Sequence, residues 1–362
     1  MNEQYKTIQS DWLQSDRAYR EKREMDYILW EVTHKCNLQC IHCRAAASPI
    51  TNKQNIIMGE EAIGLLEQIK KLGRPTLVFT GGEPLIRGDF IQLAEAASEY
   101  EIPFRVQSNG LLLTENIAKK LHDLGILNFG IGIDGPEKIH DTIRNKKGAF
   151  KKALKAIKIL NRYDIPVHIE FTIMRLNMDY LSQTLDLLEK EVNISTFLAR
   201  SVIFSGRANP KNTQMLLTPL EYREILRKIY YESKRRPFAV QSQDSLYFKV
   251  NPELLKLYKK YGDITSGNII SGCSIGLNML DIRPNGDVGV CTFIPQVIGN
   301  VKSESLIEIW KNRTKHDFVK KIVNRELNGK CSKCPFRYVC GGCRARALSI
   351  TNDLFGEDPY CW

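Results

Sequence analysis

ILWEVTHKCNLQCIHC, residues 28–43, is a short apolar run followed at once by three cysteines spaced C-x3-C-x2-C. ILWEVT reads as a strand, so Cys36, Cys40 and Cys43 fall on the loop at a strand's C-terminal end. Three thiols on one loop can hold three corners of an iron–sulfur cube. The fourth iron is then left open, because no fourth cysteine is near, and an open iron takes an external ligand. Zinc is the alternative. It normally wants four ligands, and His34 or His42 would supply the fourth.

Working outward, strands and helices alternate. MGEEAIGLLEQIKKLG (58–73) reads as a helix closed by a glycine, and TLVFTGG (76–82) as a buried strand ending in glycines. Helices at 89–100, 115–125, 149–163 and 179–191 alternate with strands at 103–110, 127–135, 167–174 and 196–206. Five or six such units in about 190 residues predict an α/β fold, a partial (β/α)6 TIM-like barrel. Chemistry in such barrels sits at the strand C-termini, where GGEP (81–84), QSNG (107–110), GIDG (132–135) and SGR (205–207) fall. Past residue 215 the rhythm breaks into a helix (218–236) and a lysine-rich stretch, then a turn-rich tail. The expected organisation is a polar N-terminal extension (1–26), the barrel (27–215), a helical connector (216–270) and a loop-rich, metal-organised domain (271–362).

The chain has 362 residues, 43% hydrophobic and 26% charged, with a net charge of +11. No apolar run approaches membrane-spanning length, and the N-terminus lacks the apolar core of a signal peptide, so a cytoplasmic protein without a membrane partner is expected. The lysines are spread along helices and are not interleaved with aromatics, which argues against nucleic acid and leaves an anionic small molecule open. None of the ten cysteines falls between 44 and 272. Clustering of that kind, without a secretion signal, points to metal rather than disulfides.

C-x3-C-x2-C after the first strand, with GGEP after the second, resembles the radical SAM superfamily. The resemblance implies that Cys36, Cys40 and Cys43 hold a [4Fe-4S] cluster whose open iron is chelated by S-adenosylmethionine (SAM). Reductive cleavage then yields a 5'-deoxyadenosyl radical. It implies contacts to SAM from the backbone of Gly81 and Gly82 and from Glu83, and places Ser108, Asn109 and Asp134 against SAM or along the cavity. As plain sequence, SNG and DG are also turn signals. His42 departs from the aromatic usual before the last cysteine. HDTIRNKKGAF (140–150) and SGRA (205–208) match stretches of the family that carry an arginine. Arg144 and Arg207 are therefore candidates for a carboxylate of SAM or substrate. Arg144 could equally form a loop salt bridge, and Glu170 could touch the cofactor or pair with a lysine.

The tail reads C273-x12-G286-x4-C291, then C331-x2-C334-x5-C340-x2-C343, then C361. It resembles the SPASM extension of radical SAM enzymes, with x2 in place of the usual last x3 and seven cysteines where a full set has eight ligands. Carried over, Cys331, Cys334, Cys340 and Cys361 hold one auxiliary [4Fe-4S] cluster, and Cys273, Cys291 and Cys343 another with an open site. A single auxiliary cluster, or a zinc ribbon, is the plainer alternative.

WEVTHKCNLQCIHCRAAA (30–47), CGGCRARA (340–347) and GEDPYCW (356–362) resemble the heme-biosynthesis subgroup of these enzymes. That implies oxidative decarboxylation or side-chain removal on an iron tetrapyrrole. The carboxylates of such a substrate suit the +11 charge, and Arg144, Arg207, Arg344 and Arg346 are candidate clamps. The alternative is a peptide-modifying enzyme, although 35 residues before Cys36 are too few for a leader-binding domain. Either reading needs an electron donor such as flavodoxin or ferredoxin. An iron–sulfur electron carrier is a third class, against which the SAM motif argues.

Overall fold

Every run read as a strand pairs in parallel with the next. The computed structural model describes residues 25–50, 55–261 and 272–362. Most of the expected N-terminal extension and the end of the connector lie outside the described residues. Strands β1 (Tyr27–Glu31), β2 (Thr76–Thr80), β3 (Phe104–Ser108), β4 (Phe129–Gly132), β5 (Val167–Ile173) and β6 (Thr196–Ser201) follow one another across the sheet in chain order. The crossovers carry helices α1 (Gly59–Lys70), α2 (Phe90–Glu99), α3 (Glu115–Asp123), α4 (Glu137–Arg144), α5 (Ala149–Arg162) and α6 (Leu181–Glu191).

The sheet does not end there. β7 (Ala239–Ser242) adds to β6, and β8 (Met279–Ile282) adds to β1, both in parallel. The antiparallel β9 (Asp287–Gly289) and β10 (Gly299–Asn300) complete the order β10-β9-β8-β1-β2-β3-β4-β5-β6-β7. The expected open α/β barrel is thus present and unclosed, with its parallel run extended at both ends. One added strand comes from the segment read as a helical connector, the other from the cysteine-rich tail.

Sequence pattern explains the two faces. α1 buries Ala62, Leu65, Leu66 and Ile69, the spacing of one helical stripe. Phe79 on β2 meets Phe90 of α2 edge-on at 5.6 Å, with Trp30 and Phe104 beside it. This is the apolar, helix-covered face. β3 alternates, burying Phe104 and Val106 and leaving Arg105 and Gln107 half-buried on the inner face, with Ser108 half-buried at the strand's end. α7 (Pro219–Ser233) starts where TPLE predicts, with Thr218 and Glu221 forming a capping box and Pro219 in the first turn.

Candidate functional site

The cysteine loop is held by backbone against backbone. The Gly82 and Glu83 amides donate to the carbonyls of Thr33 and Lys35, each at 2.8 Å, just ahead of Cys36. Side chains are excluded here: a Cβ on Gly82 would lie 2.1 Å from the Lys35 oxygen, and one on Gly81 (φ +140°) 2.7 Å from the Thr33 oxygen. From the other side, the Arg207 amide donates to the Cys43 carbonyl (3.0 Å) and Arg207 Nε to the Cys40 carbonyl (2.8 Å). The conformational demand that puts glycine in GGEP is thus the approach of the cysteine loop itself.

Cys36 and Cys40 are buried and Cys43 is half-buried, and the three lie within electrostatic reach of one another. Burial pushes the Cys36 thiol up to about 12, with Glu83 and the other two sulfurs adding to the shift. Such thiols become thiolates only against a strong cation, which a metal centre supplies. Donors already point at the sulfurs. Asn109 Nδ2 lies 3.8 Å from Cys36 Sγ, and Arg144 Nη1 lies 3.9 Å from Cys40 Sγ.

Glu83 is fully buried. Its carboxylate accepts from the Leu85 amide (3.1 Å), the Ser108 hydroxyl (2.8 Å) and the Asn109 amide (2.8 Å). Glu83, Ser108 and Asn109 are thus one hydrogen-bonded unit at the end of β3. Asp134, also fully buried, accepts from the Thr172 amide (2.9 Å) and pairs with Arg144 at 2.8 Å, with His42 Nε2 at 3.6 Å. Burial opposes ionisation of Asp134, but the Arg144 guanidinium beside it leads the contacts that outweigh burial and hold its carboxyl low. Burial lowers His42 to about 4, so it is neutral at physiological pH. Gly132 makes room for the pair, since a Cβ there would touch Arg144 Nη2 at 2.1 Å.

The tail cysteines fall into two groups. Cys291 is within electrostatic reach of Cys273 and Cys343. Cys340 reaches Cys334 and Cys361, and Cys331 reaches both of those. The groups adjoin through the Cys273 amide, which donates to the Cys340 carbonyl at 3.0 Å. Among the described residues, no three Cys, His, Asp or Glu side chains converge on one point as ligands of a single ion would.

Two arginines expected as substrate clamps are not available for that. Arg344 and Arg346 have no exposed surface. Arg344 donates to the carbonyls of Leu354 and Gly356. Arg346 is gripped by Asp244 and Asp358, both at 2.6 Å, between the rings of Tyr222 and Tyr360. RARA on a short helix gave no hint of these long-range partners. Glu170 does pair with a base, Arg200 at 2.6 Å, although an arginine rather than a lysine.

One inner-face residue was missed in the sequence. Arg105 projects from β3 onto the same side as Gln107, Glu170 and Arg200, and its Nε is buried without a hydrogen-bond partner. Among the described residues, no carboxylate lies within ion-pair distance of it. Two guanidiniums, Arg105 and Arg200, therefore face one carboxylate, Glu170, and Arg200 is 41% exposed within this concavity. The strict alternation of FRVQS was the available signal.

The radical SAM superfamily model matches residues 30–188, and an iron–sulfur cluster-binding domain model matches residues 273–335. The chain is 30% identical over 342 residues to the AdoMet-dependent heme synthase of Methanosarcina barkeri, covering 92% of this chain and 95% of that protein. The chain belongs to the radical SAM superfamily. As a radical SAM enzyme it uses SAM and a [4Fe-4S] cluster, and its SPASM domain implies auxiliary iron–sulfur clusters. It is also 29% identical to the Fe-coproporphyrin III synthase of the same organism (94% of this chain, 88% of that one). Identity to the PqqA peptide cyclase of Bradyrhizobium diazoefficiens is 25% (92% and 86%). The radical SAM fold here matches that of Streptococcus suis SuiB with a TM-score of 0.73 at 16% identity, covering 100% of this chain and 83% of SuiB. Among the described residues, no helix is long and apolar enough to cross a membrane.

Proposed function

We propose that this radical SAM enzyme removes carboxyl groups oxidatively from propionate side chains of an iron tetrapyrrole. The observation that carries the reading is Arg105, an inner-face cation whose Nε has no hydrogen-bond partner and which shares the single Glu170 carboxylate with Arg200. Two guanidiniums sharing one carboxylate leave an excess positive charge, and a carboxylate-bearing substrate would balance it through the planar fork of the guanidinium. The 30% relative named as a heme synthase supports the same substrate class.

Cys36, Cys40 and Cys43 would hold the cluster that receives SAM. When bound, that pair supplies a one-electron reductive cleavage and a carbon-centred radical. The chain's own residues do the positioning. The glycine backbone fixes the loop. Asn109 and Arg144 place donors beside two sulfurs, and Arg144 is itself locked by Asp134. Gly81, Gly82, Glu83, Ser108 and Arg207 complete the wall around this position. Arg105 and Arg200 would orient a propionate below it, and Glu170 fixes Arg200. Cys331, Cys334, Cys340 and Cys361 would hold one auxiliary cluster, and Cys273, Cys291 and Cys343 a second. A small reductant protein of the flavodoxin or ferredoxin kind would feed electrons.

The test uses anaerobically reconstituted protein, SAM, a strong reductant and iron-coproporphyrin III, with the porphyrin followed by mass spectrometry. Stepwise loss of two carboxyl groups, with 5'-deoxyadenosine formed alongside, is expected. Formation of 5'-deoxyadenosine over an unchanged porphyrin would overturn the substrate. The second reading, peptide modification, rests on the 25% identity to the PqqA peptide cyclase, and companion peptides would then be assayed.

A further inference from the structure

Three cysteines leave a four-iron cluster one ligand short, and a buried carboxylate, Asp281, lies on the strand that pairs with the one leading into Cys291. Asp281 lies on β8 with no exposed surface. Neither carboxylate oxygen accepts a hydrogen bond within bonding geometry among the described residues. Among the described residues its ion-pair contact is Arg283 Nε at 3.6 Å, which is long, and that guanidinium donates to the carbonyls of Ile294 and Pro295. A buried carboxylate held only by long contacts is an expensive arrangement for a core.

Its neighbourhood is the three-cysteine group. Asp281 pairs across the ladder with Gly289, two residues before Cys291. Glycine is needed there, because a Cβ at 289 would lie 2.6 Å from Asp281 Oδ1. Asp281 and Cys291 lie within electrostatic reach of each other. The other carboxylate acting on Asp281, Glu31, is already committed to an ion pair with Arg44. Oxygen from aspartate is a competent, harder ligand to iron than thiolate.

We propose that Asp281 is the fourth, oxygen ligand of the auxiliary cluster held by Cys273, Cys291 and Cys343. The assignment rests on the reading of those cysteines as cluster ligands, and it makes that cluster a three-thiolate, one-carboxylate centre closed to external ligands.

The experiment removes the SAM-binding cluster with a Cys36→Ala, Cys40→Ala, Cys43→Ala parent, reconstitutes anaerobically, and reads iron content, EPR and Mössbauer spectra. Asp281→Ala and the isosteric Asp281→Asn should each bind one iron fewer and show a three-iron EPR signal when oxidised. Asp281→Cys should restore the iron, with altered g-values and a shifted reduction potential. Iron content and spectra identical to the parent in Asp281→Asn, or an Asp281→Cys spectrum superimposable on the parent, would overturn the assignment. If Asp281→Ala fails to fold, the Asn and Cys variants decide alone. Cys291→Ala is the control on the underlying reading. If it too leaves iron and spectra unchanged, no three-cysteine cluster exists and the assignment falls with that reading rather than by itself.

Discussion

Replacing Arg346 with methionine should cost far more than the loss of one surface ion pair. The guanidinium donates to Asp244 Oδ2 (2.6 Å), Asp358 Oδ1 (2.7 Å), Asp358 Oδ2 (2.6 Å) and Ser201 Oγ (2.7 Å). Side-chain exposure is 0% for Arg346, 6% for Asp244 and 1% for Asp358, so solvent screens almost none of it. Arg346→Met leaves two buried carboxylates facing each other, and breaking a buried pair from one side costs about 3–5 kcal/mol. Loss of the stacking between Tyr222 and Tyr360 adds about 1–2 kcal/mol for a desolvated cation–π contact. Arg346→Lys should recover less than half, because a single ammonium cannot fork to two carboxylates. The deciding comparison is the triple variant Asp244→Asn, Arg346→Met, Asp358→Asn, which removes the stranded charges and should be more stable than Arg346→Met alone. Anaerobic urea titration followed by circular dichroism reads all four proteins. A triple variant no more stable than the single one would refute the electrostatic account, leaving packing as the cause.

Other outcomes follow from the same geometry. Gly82→Ala forces a Cβ against the Lys35 oxygen at 2.1 Å; the fold should survive while iron bound by the first cysteine loop drops, and wild-type iron content would contradict this. Arg105→Gln should weaken binding of a carboxylate-bearing porphyrin about 10- to 100-fold, the worth of one charge-assisted hydrogen bond of about 1.5–3 kcal/mol, read by absorbance titration; unchanged affinity removes Arg105 from the substrate site. Burial raises the Glu170 carboxyl, but Arg200 and His168 outweigh it and bring it from 4.5 down to about 2. The folded value lies below the unfolded one, so this stabilisation is present above about pH 4.5 and fades as pH falls toward 2. Stability of the wild type should therefore fall more steeply than that of Glu170→Gln across that window, and parallel acid-unfolding curves would exclude the effect. Alanine at Cys36, Cys40 or Cys43 should abolish SAM cleavage, while Cys334→Ala should spare cleavage better than turnover. Assay of 5'-deoxyadenosine against product separates the two.

Much of this was legible in the residues because the signals are local. Cysteine spacing, glycine pairs after strands and helical stripes such as Ala62-Leu65-Leu66-Ile69 are short-range patterns. β7 was not legible: AVQS has no apolar run and becomes a strand only because β6 offers it an edge. Glu83 carried its motif but not its partners, since Ser108 and Asn109 reach it from the end of the neighbouring strand, 25 and 26 residues on. Arg105 and Asp281 each sit in strand-like sequence, FRVQS and MLDI, but only the assembled sheet shows what each side chain looks onto. Arg346 misled for the same reason, its two aspartates lying 102 and 12 residues away.

The pairing of β8 with β1 means that the cysteine-rich tail is not a module hung on a tether. The strand that launches Cys36 and the strand that precedes Cys291 share one ladder, Tyr27 with Met279 through Trp30 with Ile282. Electron transfer between clusters held at the two ends would cross a gap set by strand register, and its rate should not change with solvent viscosity. The same ladder makes the tail inseparable. A chain cut before β8 would present the backbone of YILWE as a bare apolar edge, and such edges recruit other strands. Grafting or trimming this domain is therefore a problem of sheet solubility before it is one of redox chemistry.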